Sequence, residues 1–383
     1  MQVNSNLTHA LKTCRLLVTA GSGGVGKTTL AAALAIRGAE LGRRVAVLTI
    51  DPARRLAQAL GITEFSDELH QIDLGPDCPG QLSAMMLDTK KTGDAMVRRF
   101  AKDAQAAEAI LNNRYYGYFS TSLAGSLEYM AIEQVRLLIE ESGFDLIVLD
   151  TPPASHALDF IDAPERLVDG LERIPLKIIG ASGGQGIAGR LANQGRNIVL
   201  RGLNRLTGGP FLKDLAEFLG QFHGILDALK TAGQQVQVLL RDSRTQFVLV
   251  TTPTIGRVDE VIAFRSDLRR RNLPLGGFLV NRVHTQLPAA MEETYTDETL
   301  LTVCEETPLA SMEIGEMKEM LHGLRQALNE HNRLAIRDTD VCRRLSEAAQ
   351  SAPIIAPRLP GGVTDVDALR RIANHVAPFE GGT

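Results

Sequence analysis

The sequence of 383 residues contains little of what several kinds of protein require. It has no tryptophan, only 4% aromatic residues, and four isolated cysteines without a C-x-x-C pair. So few aromatic side chains leave no visible platform on which nucleic-acid bases would stack. The cysteine spacing is not that of a disulfide framework or of a structural zinc site.

Long apolar runs and charge of one sign are also lacking. No run approaches the roughly 18 apolar residues of a membrane helix. The first twelve residues are polar and lack the apolar region of a signal peptide, so we expect a cytoplasmic protein. Lysine and arginine number 41 against 45 aspartates and glutamates, a net charge of −4 without a basic block. We therefore expect no nucleic-acid binding.

Short apolar runs alternate with helical patterns along the chain. The predicted strands are Arg15–Thr19, Val45–Ile50, Leu82–Leu87, Leu146–Leu149, Phe247–Thr251, Phe278–Asn281 and Pro353–Ile355. Nearly continuous apolar strands suit a parallel sheet that is buried on both faces. Their alternation with helices predicts an α/β fold with a doubly wound, mostly parallel sheet.

Two mainly helical stretches interrupt this alternation. We predict one domain over 1–383, with an α/β core of about 13–91, 144–163 and 245–383 and an inserted α-helical subdomain of about 92–143 and 164–244. Apolar residues at helical spacing in 211–240 either pack within this subdomain or form a groove for an apolar client. The pattern G-x-G-x-x-G at 184–189 has no preceding strand, so we interpret it as a loop.

The most specific feature is the segment Gly21–Thr29, which matches G-x-x-x-x-G-K-[ST]. It lies between a predicted strand and a predicted helix, so its backbone N–H groups would converge on an anion. Within it, Lys27 would reach the β- and γ-phosphates of a nucleotide, and the Thr28 hydroxyl would bind Mg²⁺. The predicted nucleotide contacts in this loop are Gly21, Gly23, Gly24, Val25, Gly26, Lys27, Thr28 and Thr29.

Two aspartates follow predicted strands at the same edge of the sheet, where ligands of doubly wound folds bind. Asp150 ends an apolar strand, and we predict that it holds the Mg²⁺ together with Thr28. Asp51 follows another strand and is succeeded by Pro52. Its carboxylate either orients a water for in-line attack or caps the next helix.

Together these segments resemble the ArsA family of ATPases, which includes the arsenite-pump ATPase and the factors that target tail-anchored membrane proteins. The resemblance runs from the phosphate-binding loop to the C-terminus and is weakest in the helical stretches. The segments that carry it are Ser22–Thr29, Asp51–Arg54, Ala124–Glu128, Asp150–His156, Thr252–Thr254 with Glu260, Asn281–Arg282 and Pro357–Gly361.

The resemblance implies an ATP-hydrolysing switch that requires Mg²⁺ and couples its nucleotide state to binding or release of a client or partner. It implies Asp51 and Lys27 as catalytic residues, with Asp51 positioning the attacking water. Asn281 would contact the adenine, with Arg282 beside it, and Pro357 would begin the loop that closes over the base. The implied partners are ATP, a second subunit in a homodimer or a heterodimer with a paralogue, and a membrane protein or membrane.

The sequence departs from the family pattern at Ser22, where the family has a lysine that reaches the partner subunit's phosphates. A serine cannot supply that charge, so hydrolysis is slow, another cation such as Arg54 substitutes, or a partner supplies the lysine. One alternative is therefore a nucleotide-binding regulatory subunit with little turnover alone. A DNA-partition-type ATPase is less favoured because of the net negative charge.

Arsenite itself is not an expected substrate. Clustered thiolates suit a soft metalloid, whereas the cysteines of this chain are dispersed at positions 14, 78, 304 and 342.

The segment after Asp150 differs from GTPase-like switches, because Pro153 has no N–H to offer a γ-phosphate.

Overall fold

A computed structural model of the chain describes residues 7–50, 55–62, 68–113, 116, 126–140, 142–152, 225, 228, 231–287, 313–359, 361–363 and 365–379. Within these residues, eight strands form one sheet in the order β3-β4-β2-β5-β1-β6-β7-β8. The strands are β1 Leu16–Gly21, β2 Arg44–Thr49, β3 His70–Ile72, β4 Gln81–Met86, β5 Leu146–Asp150, β6 Thr245–Thr251, β7 Leu275–Val283 and β8 Ile354–Pro357. Neighbouring strands are parallel except for β3 and β4.

Helices connect and cover these strands. They are α1 Leu7–Thr13, α2 Lys27–Glu40, α3 Arg55–Leu60, α4 Thr89–Phe100, α5 Ala104–Leu111, α6 Ser126–Glu140, α7 Ile255–Arg270, α8 Ile314–Ala349 and α9 Val366–Val376. Residues 231–241 are also helical. Among the described helices, none combines the length and the apolar character that a membrane crossing demands.

Apolar side chains fill both faces of the sheet. On β2, Ala46 and Leu48 belong to a cluster with α4, α6, α7 and α8, whereas Val45 and Val47 belong to a second cluster with α1, α2, α3 and α9. Successive side chains of a strand point to opposite faces, so one strand contributes to both clusters. Helices on both faces confirm the predicted doubly wound α/β fold.

The seven predicted strands are present, and the structure adds β3. This strand pairs antiparallel with β4, with His70 opposite Ala84 and Ile72 opposite Leu82. Three residues, of which two are polar, are too short a run to show strand periodicity. The structure also places helix α1 in the N-terminal residues that the sequence shows only as polar, with Leu7 and Leu11 buried one turn apart.

Helix α2 lies close to the sheet because its side chains are small. A Cβ on Gly38 would lie 3.0 Å from Leu146 Cδ2 and 3.1 Å from Val45 Cγ2. A larger residue there would push the helix away from β2 and β5. This close packing holds the first residues of α2 at the carboxyl end of β1.

The predicted helical subdomain lies largely outside the described residues, as does the glycine pattern at 184–189. Within 92–143, helices α4, α5 and α6 are present. Their side chains Met96, Ile110 and Val135 share one apolar cluster with Val18 of β1 and Leu149 of β5. The division into a core and a subdomain stays a prediction.

Candidate functional site

The phosphate-binding loop joins β1 to α2. A Cβ on Gly21 would collide with the carbonyl oxygen of Val250 on β6, so the close approach of these backbones needs a glycine. Gly26, directly before α2, has φ 90° and ψ 29°, and Gly24 has φ 78°. Side chains rarely tolerate these left-handed conformations. The loop thus has the strand–turn–helix arrangement that the motif predicts.

Lys27 is the first residue of α2, and it is only 8% exposed. Its ammonium donates to the carbonyl oxygens of Gly21 and Ser22 at 2.9 and 3.0 Å. The positive charge therefore lies inside the loop, at the helix N-terminus, where an anion would bind.

Three oxygen-bearing side chains meet beside the loop. Thr28 Oγ1 donates to Asp150 Oδ2 at 2.6 Å, and Thr49 Oγ1 donates to the same oxygen at 3.0 Å. Asp150 is 1% exposed. A carboxylate and hydroxyls form an all-oxygen donor set, which suits Mg²⁺. The sequence predicts Thr28 and Asp150, but Thr49 is placed there by its register opposite Asp150 in β2 and β5.

Asp51 and Arg54 lie outside the described residues, so their roles stay predictions. The residue before Asp51 is described. The backbone N–H of Ile50 donates to the carbonyl oxygen of Asp150 at 3.3 Å. Strand β2 therefore ends at the same edge as the Thr28–Asp150 pair.

Ser22, at the position of the family lysine, is 4% exposed. Its hydroxyl donates to the Glu260 carboxylate in α7. The same carboxylate pairs with Arg257 at 3.3 Å. The side chain at this position is thus bound within its own chain.

Asn281 joins the loop to β7. Its Nδ2 donates to the Val25 carbonyl at 2.8 Å, and its Oδ1 accepts from the backbone N–H of Arg282 at 2.9 Å. The Arg282 guanidinium donates to the Gly24 carbonyl at 3.3 Å. A Cβ on Gly26 would collide with the Asn281 amide. Asn281 and Arg282, which the sequence predicts beside the adenine base, therefore also hold the phosphate-binding loop.

A cavity of about 590 Å³ opens beside this junction. Its size is within the range of small-molecule sites. It unites four residues that the sequence predicts as nucleotide contacts, namely Thr29, Asn281, Arg282 and Pro357. Most of the remaining wall consists of Arg358, Leu359 and residues 361–363. We call this space the nucleoside cavity, after the base contacts that the sequence predicts for Asn281, Arg282 and Pro357.

Comparison with known proteins adds an independent result. Residues 14–299 match the family described as anion-transporting ATPase. The ATPase ASNA1 homolog of Entamoeba dispar is 26% identical over 292 residues, 73% of this chain and 80% of that protein. The ATPase ARSA2 of Chlamydomonas reinhardtii is 27% identical over 280 residues, 71% of this chain and 68% of that protein. The ATPase get3 of Aspergillus terreus is 31% identical over 186 residues, 45% of this chain and 53% of that protein.

The family match contains the phosphate-binding loop, Asp150 and Asn281, and it ends before the segment 357–363. It covers most of the chain, and the structure shows the loop, the buried lysine and the Thr28–Asp150 pair assembled at the carboxyl end of a parallel sheet. The chain therefore belongs to the ArsA family of anion-transporting ATPases, and its enzymatic class is ATP hydrolase.

Proposed function

We propose that the chain binds Mg-ATP across the phosphate-binding loop and the nucleoside cavity, and that hydrolysis switches its binding of a client or partner. The observation that carries this proposal is the contact of 2.6 Å between Thr28 Oγ1 and Asp150 Oδ2 beside the buried Lys27. These are the groups that phosphate-loop ATPases use at the β- and γ-phosphates.

Each residue of the proposed site has a role that follows from its position. Lys27 and the backbone N–H groups of the loop bind the phosphates and offset charge that develops as the terminal phosphoryl group leaves. Thr28 and Asp150 hold the Mg²⁺, which when bound neutralises phosphate charge. Asp51 orients the attacking water. Asn281, Arg282 and Pro357 receive the base at the nucleoside cavity.

The segment after Asp150 is the part of the chain through which we propose that the switch acts. The next residue, Thr151, donates from its hydroxyl to the Thr19 carbonyl at 2.8 Å, which ties this segment to β1. After about residue 163 the chain enters the predicted helical subdomain. We propose that a change at the phosphates reaches a bound client through this segment. The client is a membrane protein or membrane surface, and the acting form is a homodimer or a heterodimer with a paralogue.

Two threonine variants at one carboxylate test the proposal. Thr28 and Thr49 both donate to Asp150 Oδ2, but only Thr28 belongs to the loop. We expect Thr28→Val to lower phosphate release by about a hundredfold and to raise the Mg²⁺ concentration required. Thr49→Val removes the hydrogen bond to Asp150 from outside the loop and should lower the rate only about three- to tenfold. Asp51→Asn should abolish turnover while ATP binding is retained.

Equal losses in the two threonine variants, without a change in Mg²⁺ dependence, would contradict the assignment of Thr28 as a metal ligand. Measurement of the molecular mass with and without ATP tests the dimer. A chain that is fully active and stays monomeric both with and without ATP would contradict the proposed dimer.

The contact of Ser22 with Glu260 favours a second candidate function, a regulatory subunit with little turnover alone. Since the Ser22 side chain is short and bound within its own chain, it supplies no charge to another subunit. In this case, the chain would bind ATP without hydrolysis, and addition of a lysine-bearing paralogue would raise the ATPase activity. Full activity of the chain alone, without increase on mixing, would exclude this function.

A further inference from the structure

Three side chains from separate parts of the chain form a hydrogen-bonded row behind the nucleoside cavity. Asp338 in α8 is fully buried, and its Oδ2 lies 2.7 Å from His284 Nδ1. The same oxygen accepts from the backbone N–H of His284 at 3.0 Å. On the other side of the ring, His284 Nε2 lies 3.2 Å from Nη1 of Arg358, which lines the cavity.

The guanidinium determines the direction of these hydrogen bonds. Arginine has donors and no acceptor, so His284 Nε2 accepts from Arg358. The ring proton is then on Nδ1, from which it is donated to Asp338. Burial by itself would raise the pKa of Asp338, but hydrogen bonds from His284 and from Arg337, at 2.9 Å, outweigh burial and lower it. The carboxylate is therefore ionised and holds this tautomer.

Arg358 is attached to the sheet at its backbone. Its N–H donates to the Val283 carbonyl at 2.9 Å, next to the pairing of Val283 with Pro357. The Arg358 side chain is exposed, so neither the backbone nor packing fixes its direction. The hydrogen bond to His284 directs the guanidinium along the cavity wall.

We propose that Asp338 and His284 are positioning residues for Arg358, and that this row sets the affinity of the cavity for the nucleoside part of ATP. The inference rests on the proposed function. The directed guanidinium presents N–H donors to a cavity whose ligand, a purine nucleoside, carries ring-nitrogen and hydroxyl acceptors. Asp338 and Arg358 lie beyond residues 14–299, the part that matches the family.

Binding of two ligands separates this role from a general effect on the site. ATP and inorganic tripolyphosphate, each with Mg²⁺, are titrated against the full chain. We expect His284→Ala and Arg358→Ala to weaken ATP binding about three- to tenfold and to leave tripolyphosphate binding unchanged. His284→Gln keeps a side-chain acceptor and should restore most of the ATP affinity. Lys27→Ala should weaken both ligands.

Rescue by His284→Gln gives a readout that a merely structural role would not change. The glutamine amide oxygen can accept from Arg358, whereas alanine has no side-chain acceptor. The ratio of ATP affinity to tripolyphosphate affinity should therefore be lowered in His284→Ala and close to that of the natural chain in His284→Gln.

A second ring beside His284 provides a control. His331 of α8 has its ring centroid 5.5 Å from that of His284, and its Nε2 lies 2.9 Å from the Thr285 carbonyl, apart from the row. His331→Asn should keep the ATP preference of the natural chain.

The outcomes distinguish the two proposals. A natural chain that binds neither ligand would overturn the proposed function and this inference with it. A natural chain that prefers ATP, with the same preference in His284→Ala and Arg358→Ala, would overturn only the positioning role. Because the Arg358 side chain is exposed, the Arg358→Ala variant carries the test even if His284→Ala does not fold.

Discussion

The phosphate end and the nucleoside end of the proposed site meet at Asn281, yet they are built differently. At the phosphate end, the consecutive residues Gly21–Thr29 form the loop, and the charges of Lys27 and Asp150 are buried. At the nucleoside end, the cavity is formed by segments that are far apart in sequence, and Arg358 in its wall is exposed. A local motif thus specifies one end, and the packing of β7, β8 and α9 specifies the other.

This difference predicts how each end responds to substitution. Removal of a buried charged group leaves its polar partners without hydrogen bonds, which costs free energy. Exposed residues that are held by one hydrogen bond contribute less. The predictions below run from the phosphate end, where the largest effect is expected, to the residues behind the nucleoside cavity.

Lys27→Ala removes the charge at the phosphates, so we expect hydrolysis at saturating ATP to fall by about a hundredfold or more. Phosphate release measures the rate. Lys90→Ala is the matched control, because Lys90 lies on the surface of α4 and pairs with Asp94 at 2.9 Å. An unchanged rate of hydrolysis in Lys27→Ala would contradict the assignment of the phosphate-binding loop to the ATP site.

Asn281→Ala tests the junction. Its amide bonds the Val25 carbonyl and the Arg282 N–H, and loss of one buried and one partly buried hydrogen bond costs about 1–3 kcal/mol. We therefore expect weaker binding of both ATP and tripolyphosphate, unlike the selective effect at Arg358. Asn112→Ala, at the exposed end of α5, is the control. A loss confined to ATP would place Asn281 with the nucleoside end alone.

Gly26→Ala and Gly24→Ala form a pair for the loop backbone. Both glycines have left-handed φ angles, so alanine costs about 1–2 kcal/mol at either position. At Gly26 the new Cβ also meets the Asn281 amide, whereas at Gly24 it meets nothing within 4 Å. Urea unfolding should therefore show the larger loss for Gly26→Ala. Equal losses would show that the Asn281 amide moves aside without cost.

Asp338→Asn tests the row behind the cavity through its pH dependence. The pKa of Asp338 is lowered in the folded chain, because the hydrogen bonds from His284 and Arg337 outweigh burial, which alone would raise it. A lowered folded-state pKa contributes stability that is present at neutral pH and is lost as the pH falls through that pKa. We expect Asp338→Asn to cost about 1 kcal/mol at pH 7.

Urea unfolding of both proteins should show this difference shrinking as the pH falls below about 4, where aspartates gain protons. Asp340→Asn, on the exposed side of α8, is the control and should show little change at any pH. A constant difference between the natural chain and Asp338→Asn would mean that the charge of this carboxylate contributes no stability.

Much of the fold could be predicted because parallel strands buried on both faces are nearly continuous apolar runs. The edge strand His70–Ile72 could not, since it is short and polar and exists through its pairing with β4. In the long helix α8, Asp338 is buried at helical spacing with Ala335 and Val341, so it interrupts an apolar face of the helix. The sequence does not show which residue meets this aspartate, because His284 lies in a distant segment of the chain.

The sequence by itself determined the phosphate-binding loop, the pair Thr28 and Asp150 that we propose as metal ligands, and the family. This is possible because a glycine-rich loop of consecutive residues between a strand and a helix can be recognised without knowledge of its tertiary contacts. Only the tertiary structure decided that Thr49 shares the Asp150 oxygen and that Ser22 binds Glu260. Only the structure joined Asp338, His284 and Arg358, because such contacts follow from strand order, register and helix packing, which set distances between residues far apart in the chain.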